Sequence, residues 1–121
     1  MLLNDFYTIQ SREMSIGSIR AKVEFNRDHS IFEGHFPGNP IVPGVCMIQL
    51  VREIVALSEN KTVRIAKGEN IKFLSVINPV ETPVVDVLII HYVKENSYVI
   101  DASLFLDQVT YFKFKGSFQI V

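Results

Sequence analysis

Alternating apolar and polar residues predict strands on both sides of a single helix. Residues 19–25 alternate with the period of a strand that has one buried face. Four segments of the second half are rich in Val, Ile, Phe and Tyr and are predicted to be strands: residues 63–77, 84–93, 98–106 and 110–120. The polar residues 94–97 are typical of a hairpin connection, and another turn is expected near Asp107 and Gln108.

The segment from Gly44 to Leu57 has the composition of a buried helix. It contains no proline, and its only glycine is its first residue. Apolar residues cover most of the helix circumference, which is typical of a helix inside a protein rather than on its surface. We therefore predict an α+β fold in which a curved antiparallel sheet wraps one long central helix. Such a sheet leaves an open edge, so we also expect a dimer.

Glycine and proline are concentrated in the loop before this helix. The chain has six glycines and five prolines, and six of these eleven residues fall between Gly34 and Gly44, a stretch that also contains His35. The loop enters the helix at Pro43 and Gly44, where backbone N–H groups lack partners. An imidazole beside free N–H donors suits the removal of a proton next to a carbonyl. The alternative is a histidine that only ties the loop to the core.

Composition limits the other possibilities. The 121 residues form one domain, 1–121, with 12 Lys and Arg against 13 Asp and Glu, so neither nucleic acid nor an anionic membrane is an expected partner. A single cysteine excludes an internal disulfide and favours a reducing compartment. Because no signal peptide and no apolar run of membrane length is present, we expect a cytoplasmic protein. The histidines lack paired-ligand spacing, so no metal site is expected.

The loop resembles the signature of the 3-hydroxyacyl-[acyl-carrier-protein] dehydratases, which have the hotdog fold. The residues that carry the resemblance are Gly34-His35-Phe36-Pro37-Gly38, then Pro40-Ile41, then Pro43-Gly44-Val45. The resemblance implies a lyase that removes water from 3-hydroxyacyl thioesters to give 2-enoyl thioesters, in fatty acid or related acyl or polyene biosynthesis. It implies a substrate carried on phosphopantetheine by an acyl carrier protein, without metal or organic cofactor. It also implies a homodimer or an oligomer of dimers.

The resemblance assigns roles residue by residue. His35 matches the base that takes the α proton, and the backbone N–H of Gly44 matches the group that binds the thioester oxygen. The usual helix carboxylate, which acts from the other subunit, is replaced by Gln49. Glu53 lies one turn further on, and we predict that it replaces the acid if substrate or helix shifts by about 5.4 Å.

Two other functions stay open because of Gln49. The chain could be a catalytically impaired homologue that binds acyl groups or carrier protein, or that pairs with a second dehydratase-like subunit supplying the carboxylate. It could also be a hotdog thioesterase in which Glu53 activates water. The polar side chains of Gln49, Arg52 and Glu53 share one helix face. Their partners are either the substrate and a neighbouring His35, or groups of the same chain.

Further residues are expected to bind substrate or to offer other chemistry. The predicted substrate-binding residues are Phe36, Pro43, Val45, Ile48 and Arg52. Apolar residues of the stretch 70–77 are expected to line an acyl site as well. Cys46 lies near the helix start and could act as a nucleophile with His35 as its base. A small buried cysteine is the alternative interpretation.

Overall fold

A computed structural model describes residues 1–121, which form a six-stranded antiparallel sheet and one long helix. The elements in chain order are β1 (Tyr7–Ser15), β2 (Ser18–Phe25), α1 (Ile31–Gly34), α2 (Gly44–Glu59), β3 (Val63–Phe73), β4 (Val84–Lys94), β5 (Ser97–Leu106) and β6 (Val109–Ile120). The strand order is β1-β2-β4-β5-β6-β3. The predicted α+β class is therefore confirmed. None of the helices is both long enough and apolar enough to cross a bilayer.

Most predicted strands agree with the structure to within a residue or two, but β3 ends earlier than predicted. The predicted strand continued to Ile77, whereas β3 ends at Phe73. The N–H of Leu74 donates to the carbonyl of Tyr111 at 2.9 Å, and beyond it the chain leaves the sheet. The carbonyl of Ile77 then accepts the N–H of Val42 at 2.9 Å. This contact fastens the segment after β3 to the loop that precedes α2.

The sequence did not predict β1 or the single-turn helix α1. Eight of the nine residues of β1 lack full burial, and six of them in a row are exposed, so the strand carries no apolar alternation. Its conformation comes from antiparallel pairing with β2, which does have a buried face. Tertiary pairing therefore decides the structure of β1, and propensity alone does not reveal it.

Helix α2 is less completely enclosed than predicted. It buries one broad face against the sheet, with these residues: Cys46, Met47, Leu50, Val51, Glu53, Ile54 and Val55. Val45 is 73% exposed and Leu57 is 47% exposed, so the prediction of a helix buried nearly all round was wrong for this single chain. The sheet covers one side of the helix and leaves part of the other side open.

Strand β3 forms an open edge of the sheet. Its only neighbour is β6, and of its eleven residues only Val63 is buried. Ile65, Ile71 and Phe73 are apolar and exposed on this edge strand. An edge with unpaired backbone groups and apolar side chains is suited to pairing with another chain.

Candidate active site

The loop that carries His35 is closed by its own backbone hydrogen bonds. The N–H of His35 donates to the carbonyl of Ile31 at 3.1 Å, and its carbonyl accepts the N–H of Ile41 at 2.8 Å. Between these contacts, Phe36 and Asn39 exchange two hydrogen bonds of 3.1 and 2.9 Å. The backbone of His35 is thus fixed at both ends of a tight turn, while its side chain is exposed.

The first N–H groups of α2 remain free in the same region. The N–H groups of Cys46 and Met47 both donate to the carbonyl of Pro43, at 3.0 and 3.4 Å. No backbone carbonyl accepts the N–H of Gly44 or of Val45. These two donors lie at the positive end of a sixteen-residue helix, which is a favourable place for a developing negative charge.

A cavity of about 410 Å³ brings the histidine and the helix start together. Its lining residues are His35, Phe36, Ile41, Val42, Pro43, Gly44, Val45, Met47, Phe73, Ser75 and Val76. Most of them are apolar, and none carries a carboxyl group. An apolar cavity with few polar groups is typical of a small-molecule site.

Five of the predicted site residues line this cavity, and four do not. Those that line it are His35, Gly44, Phe36, Pro43 and Val45, and those that do not are Gln49, Glu53, Ile48 and Arg52. Phe73, Ser75 and Val76 belong to the stretch that was expected to contribute apolar lining. Sequence reasoning did not assign Ile41, Val42 or Met47 to the site, although Ile41 belongs to the loop motif; they line the cavity because the loop folds back over the start of α2.

Glu53 is occupied by contacts to the N-terminal segment. One carboxylate oxygen accepts the N–H of Leu2 at 2.8 Å and the amide of Gln49 at 2.8 Å. The other oxygen accepts the N–H of Leu3 at 2.8 Å and the hydroxyl of Tyr7 at 3.1 Å. The side chain is buried, so these four donors take the place of water around the carboxylate.

The electrostatics of this group oppose the predicted acid role of Glu53. Burial by itself raises the pKa of the Glu53 carboxyl, but the hydrogen bonds from Leu2, Gln49, Leu3 and Tyr7 outweigh burial and leave the pKa below its usual value. Burial and the neighbouring carboxylate raise the pKa of the Tyr7 phenol. Glu53 is therefore an ionised acceptor without a proton to give. The same contacts leave no free oxygen with which it could activate water as in a thioesterase.

Gln49 and Arg52 complete a network within the chain. The amide oxygen of Gln49 accepts Nε of Arg52 at 3.2 Å, while its amide nitrogen is bonded to Glu53. Nη1 of Arg52 donates to the carbonyl of Val63 at 3.1 Å. The sequence left two sets of partners open for this polar face, the substrate with a neighbouring His35 or groups of the same chain. In the structure the partners are groups of the same chain. Both polar atoms of Gln49 are engaged, so its amide is not presented to a cavity.

Cys46 has the environment of a core residue. Its side chain is buried, and that burial raises the pKa of its thiol. A protonated, enclosed thiol is a poor nucleophile even near a helix start. The Cys/His acyl-transfer interpretation is therefore wrong for this arrangement.

The structure also contains no cluster of three or more His, Cys, Asp or Glu side chains suited to a metal ion.

Curated relatives match about half of the chain or less. The 3-hydroxyacyl-[acyl-carrier-protein] dehydratase FabZ of Wolbachia pipientis wMel is 36% identical over 72 residues, covering 54% of this chain and 50% of the relative. The FabZ of Caulobacter vibrioides (strain NA1000 / CB15N) is 42% identical over 48 residues, covering 39% of this chain and 30% of the relative. The chain spans about half the length of the curated relatives it matches, or less.

Solved structures match the fold over nearly the whole chain. The dehydratase heterocomplex ApeI:P from Xenorhabdus doucetiae contains a chain with a TM-score of 0.73 at 21% identity, covering 92% of this chain and 96% of that chain. The CurJ dehydratase matches with a TM-score of 0.56 at 18% identity, covering 93% of this chain and 41% of the CurJ chain. The fold is therefore the hotdog fold. A family model described as ApeI-like, ApeI dehydratase, matches residues 10–115. The chain thus belongs to the ApeI-like dehydratase family.

Proposed function

We propose that this protein acts on 3-hydroxyacyl thioesters and catalyses the loss of water to give 2-enoyl thioesters. The observation that supports this most directly is the cavity that unites His35 with the free N–H of Gly44. The two groups are the base and the oxyanion donor that this elimination needs. Family membership supports the same reaction class.

The proposed reaction uses each group for one step. The thioester oxygen accepts a hydrogen bond from the N–H of Gly44 at the positive end of α2. The imidazole of His35 takes the α proton, and the electron pair moves onto the thioester oxygen. When the carbonyl re-forms, the C3–O bond breaks, and the hydroxyl leaves as water with a proton from an acid. The products are a 2-enoyl thioester and water.

The remaining cavity wall and the open sheet edge suggest how substrate and partner bind. The apolar residues Phe36, Val45 and Val76 offer a surface for an acyl chain, whose phosphopantetheine arm would come from an acyl carrier protein. The exposed edge of β3 would pair with the same strand of a second copy, giving a dimer.

The missing acid supports a second candidate within this function. No carboxyl group lines the His35 cavity, and the helix face that would serve a neighbouring chain carries the engaged amide of Gln49. A heterodimer whose second hotdog chain supplies the carboxyl group would complete the site. One structural neighbour is described as a dehydratase heterocomplex, which is consistent with such an assembly.

Turnover of 3-hydroxyacyl thioesters tests the proposed function. Purified protein is given 3-hydroxyacyl-pantetheine and 3-hydroxyacyl carrier protein of several chain lengths, and formation of the conjugated enoyl thioester is followed by absorbance. The His35→Ala variant is the matched control. Activity that depends on His35 is expected. Absence of dehydration and of the reverse hydration with every substrate, alone and with a candidate partner chain, would rule the function out.

A reciprocal exchange on α2 separates the homodimer from the heterodimer. The variant Gln49→Glu/Glu53→Gln restores a carboxyl group at position 49 and removes the neighbouring one. If a partner normally supplies the acid, this homodimer gains activity over the wild-type homodimer, by about 10²- to 10⁴-fold for one general acid. A wild-type homodimer already as active as the exchanged variant would contradict the need for a second chain.

A further inference from the structure

Phe73, the last residue of β3, lies directly against the first residue of α2. A methyl group added to the α carbon of Gly44 would overlap Cε1 of the Phe73 ring and would stand 2.7 Å from its Cζ. Cβ atoms in proteins essentially never approach a non-bonded heavy atom to less than 3.0 Å. The aromatic ring therefore occupies the space that any side chain at position 44 would need.

The ring is also supported on another side. Phe73 is paired in register with Phe112, and the two ring centroids are 5.4 Å apart with an interplanar angle of 31°. Phe112 is fully buried, so its own position is fixed by the core. Phe73 is 57% exposed and lines the His35 cavity. Its ring is a cavity wall that has little room to retreat toward the core.

The Phe73 ring borders the part of the cavity in which the reacting atoms of a substrate would lie. On the proposed function, the thioester oxygen is bound at the N–H of Gly44, and the α carbon is one bond away from the thioester carbonyl carbon. The α carbon must also face His35, which lines the same cavity. The α carbon consequently lies in the cavity between Gly44 and His35, and the ring of Phe73 forms part of the wall of that cavity.

We propose that Phe73 is the specificity-determining residue of this site and that it selects thioesters unbranched at the α carbon over α-methyl thioesters. The inference rests on the proposed function, since that function places the thioester at Gly44. A single methyl group that fits or clashes in an apolar pocket changes kcat/KM by about 10- to 200-fold. That is the expected preference of the wild-type protein for the unbranched substrate.

The competing substrates are 3-hydroxybutyryl-pantetheine and its 2-methyl derivative. We expect Phe73→Ala to lower the ratio of their kcat/KM values by about tenfold or more, because the variant opens the wall beside the α carbon. Leu74→Ala is the matched control, since Leu74 is the next residue, is exposed and does not line the cavity. An unchanged ratio in Phe73→Ala, or a wild-type protein that processes both substrates equally, would overturn the proposal.

A binding measurement separates failure of this inference from failure of the proposed function. Amide analogues of butyryl- and 2-methylbutyryl-pantetheine keep the carbonyl oxygen but cannot react, and their affinities are compared by calorimetry. If no substrate is turned over, the proposed function fails, and the affinity ratio still decides the role of Phe73. Tighter binding of the unbranched analogue by the wild type, lost in Phe73→Ala, supports the inference, whereas equal binding or no binding contradicts it.

The contact itself is tested by a double-mutant cycle on thermal stability. Gly44→Ala alone is expected to lower Tm, because its methyl group meets the ring of Phe73. Adding Phe73→Ala removes the clash, so the double variant should lose less stability than the sum of the single variants. Additive losses would show that the ring does not confine position 44 and would overturn the inference.

Discussion

The start and the middle of helix α2 differ in how their polar groups are used. At its start, the N–H groups of Gly44 and Val45 have no backbone acceptor, and the exposed His35 lines the adjoining cavity. Nine residues further on, about 13.5 Å along the axis, Glu53 is buried and accepts four hydrogen bonds. The start of the helix keeps its polar groups available, whereas the polar side chains in its middle, those of Gln49, Arg52 and Glu53, are all hydrogen-bonded.

This difference separates chemistry from stability along one helix. Buried polar groups that are fully bonded stabilise a fold, while groups left free in a cavity are available for a ligand. Glu53 fastens the N-terminal residues Leu2 and Leu3 to the helix, which is a structural task. The consequence for function is that the acid of the proposed reaction has to come from elsewhere than Glu53.

The largest expected effect is on activity and comes from the cavity end. His35→Ala should lower kcat/KM for a 3-hydroxyacyl thioester by about 10²- to 10⁴-fold, because the base is lost. Its Tm should stay close to that of the wild type, since the imidazole is exposed. Steady-state kinetics and a thermal melt on the same preparation check both parts. A large drop in Tm would mean that His35 serves the fold instead.

The next effect is on stability and comes from Glu53 in the middle of α2. Glu53→Ala leaves the donors of Gln49 and Tyr7 without their acceptor in a buried site and should lower the free energy of unfolding by about 2–4 kcal/mol. Chemical denaturation measures this change, with Glu13→Ala on the exposed face of β1 as control. A Glu53→Ala protein as stable as that control would contradict the structural role.

A smaller effect is expected when the missing carboxylate is restored. Gln49→Glu alone places two carboxylates at the 2.8 Å contact now made by the amide of Gln49 and Glu53. We expect it to destabilise the fold by about 1–3 kcal/mol, because like charges cannot share that site without protonation. Adding Glu53→Gln should recover most of the loss, as measured by urea denaturation. An exchanged variant less stable than Gln49→Glu would show that the two positions are not coupled.

The smallest effect is on the pH dependence of stability. Because the folded-state pKa of Glu53 is lowered, its stabilising contribution is fully present above the unfolded value of about 4.3 and is lost as pH falls through the lower folded value. The stability difference between wild type and Glu53→Gln should therefore be constant from pH 7 to about 5 and shrink at lower pH. Urea denaturation at each pH measures it. A difference that grows in acid would mean that the pKa is raised.

Sequence reasoning predicted the local patterns well and the distant contacts poorly. The alternation in β2 and the Gly/Pro loop before Gly44 depend on nearby residues, so the strand and the helix start were predicted with small errors. The partners of Glu53 lie 46 to 51 residues away for Tyr7, Leu3 and Leu2. No spacing rule connects those positions, which is why the choice between catalytic and internal partners stayed open until the fold was known.

The cavity illustrates the same limit. The loop motif identified His35 and Gly44, because both lie within one short stretch with a recognisable pattern. Phe73 reaches the same cavity from the far end of β3, nearly thirty residues along the chain, and its contact with Gly44 depends on how β3 pairs with β6. The pattern of apolar residues indicated a strand there but not which side chain meets the helix.

Hydrogen exchange at the α carbon tests the division between the start and the middle of α2 most directly. A saturated acyl-pantetheine in D2O can lose its α proton to a base but has no hydroxyl to eliminate, so exchange needs His35 and Gly44 and no acid. The exchange is followed by NMR. The wild type and Glu53→Gln should exchange the α proton of the substrate at similar rates, whereas His35→Ala should show no catalysed exchange. Exchange that survives in His35→Ala, or that disappears in a folded Glu53→Gln protein, would contradict the account.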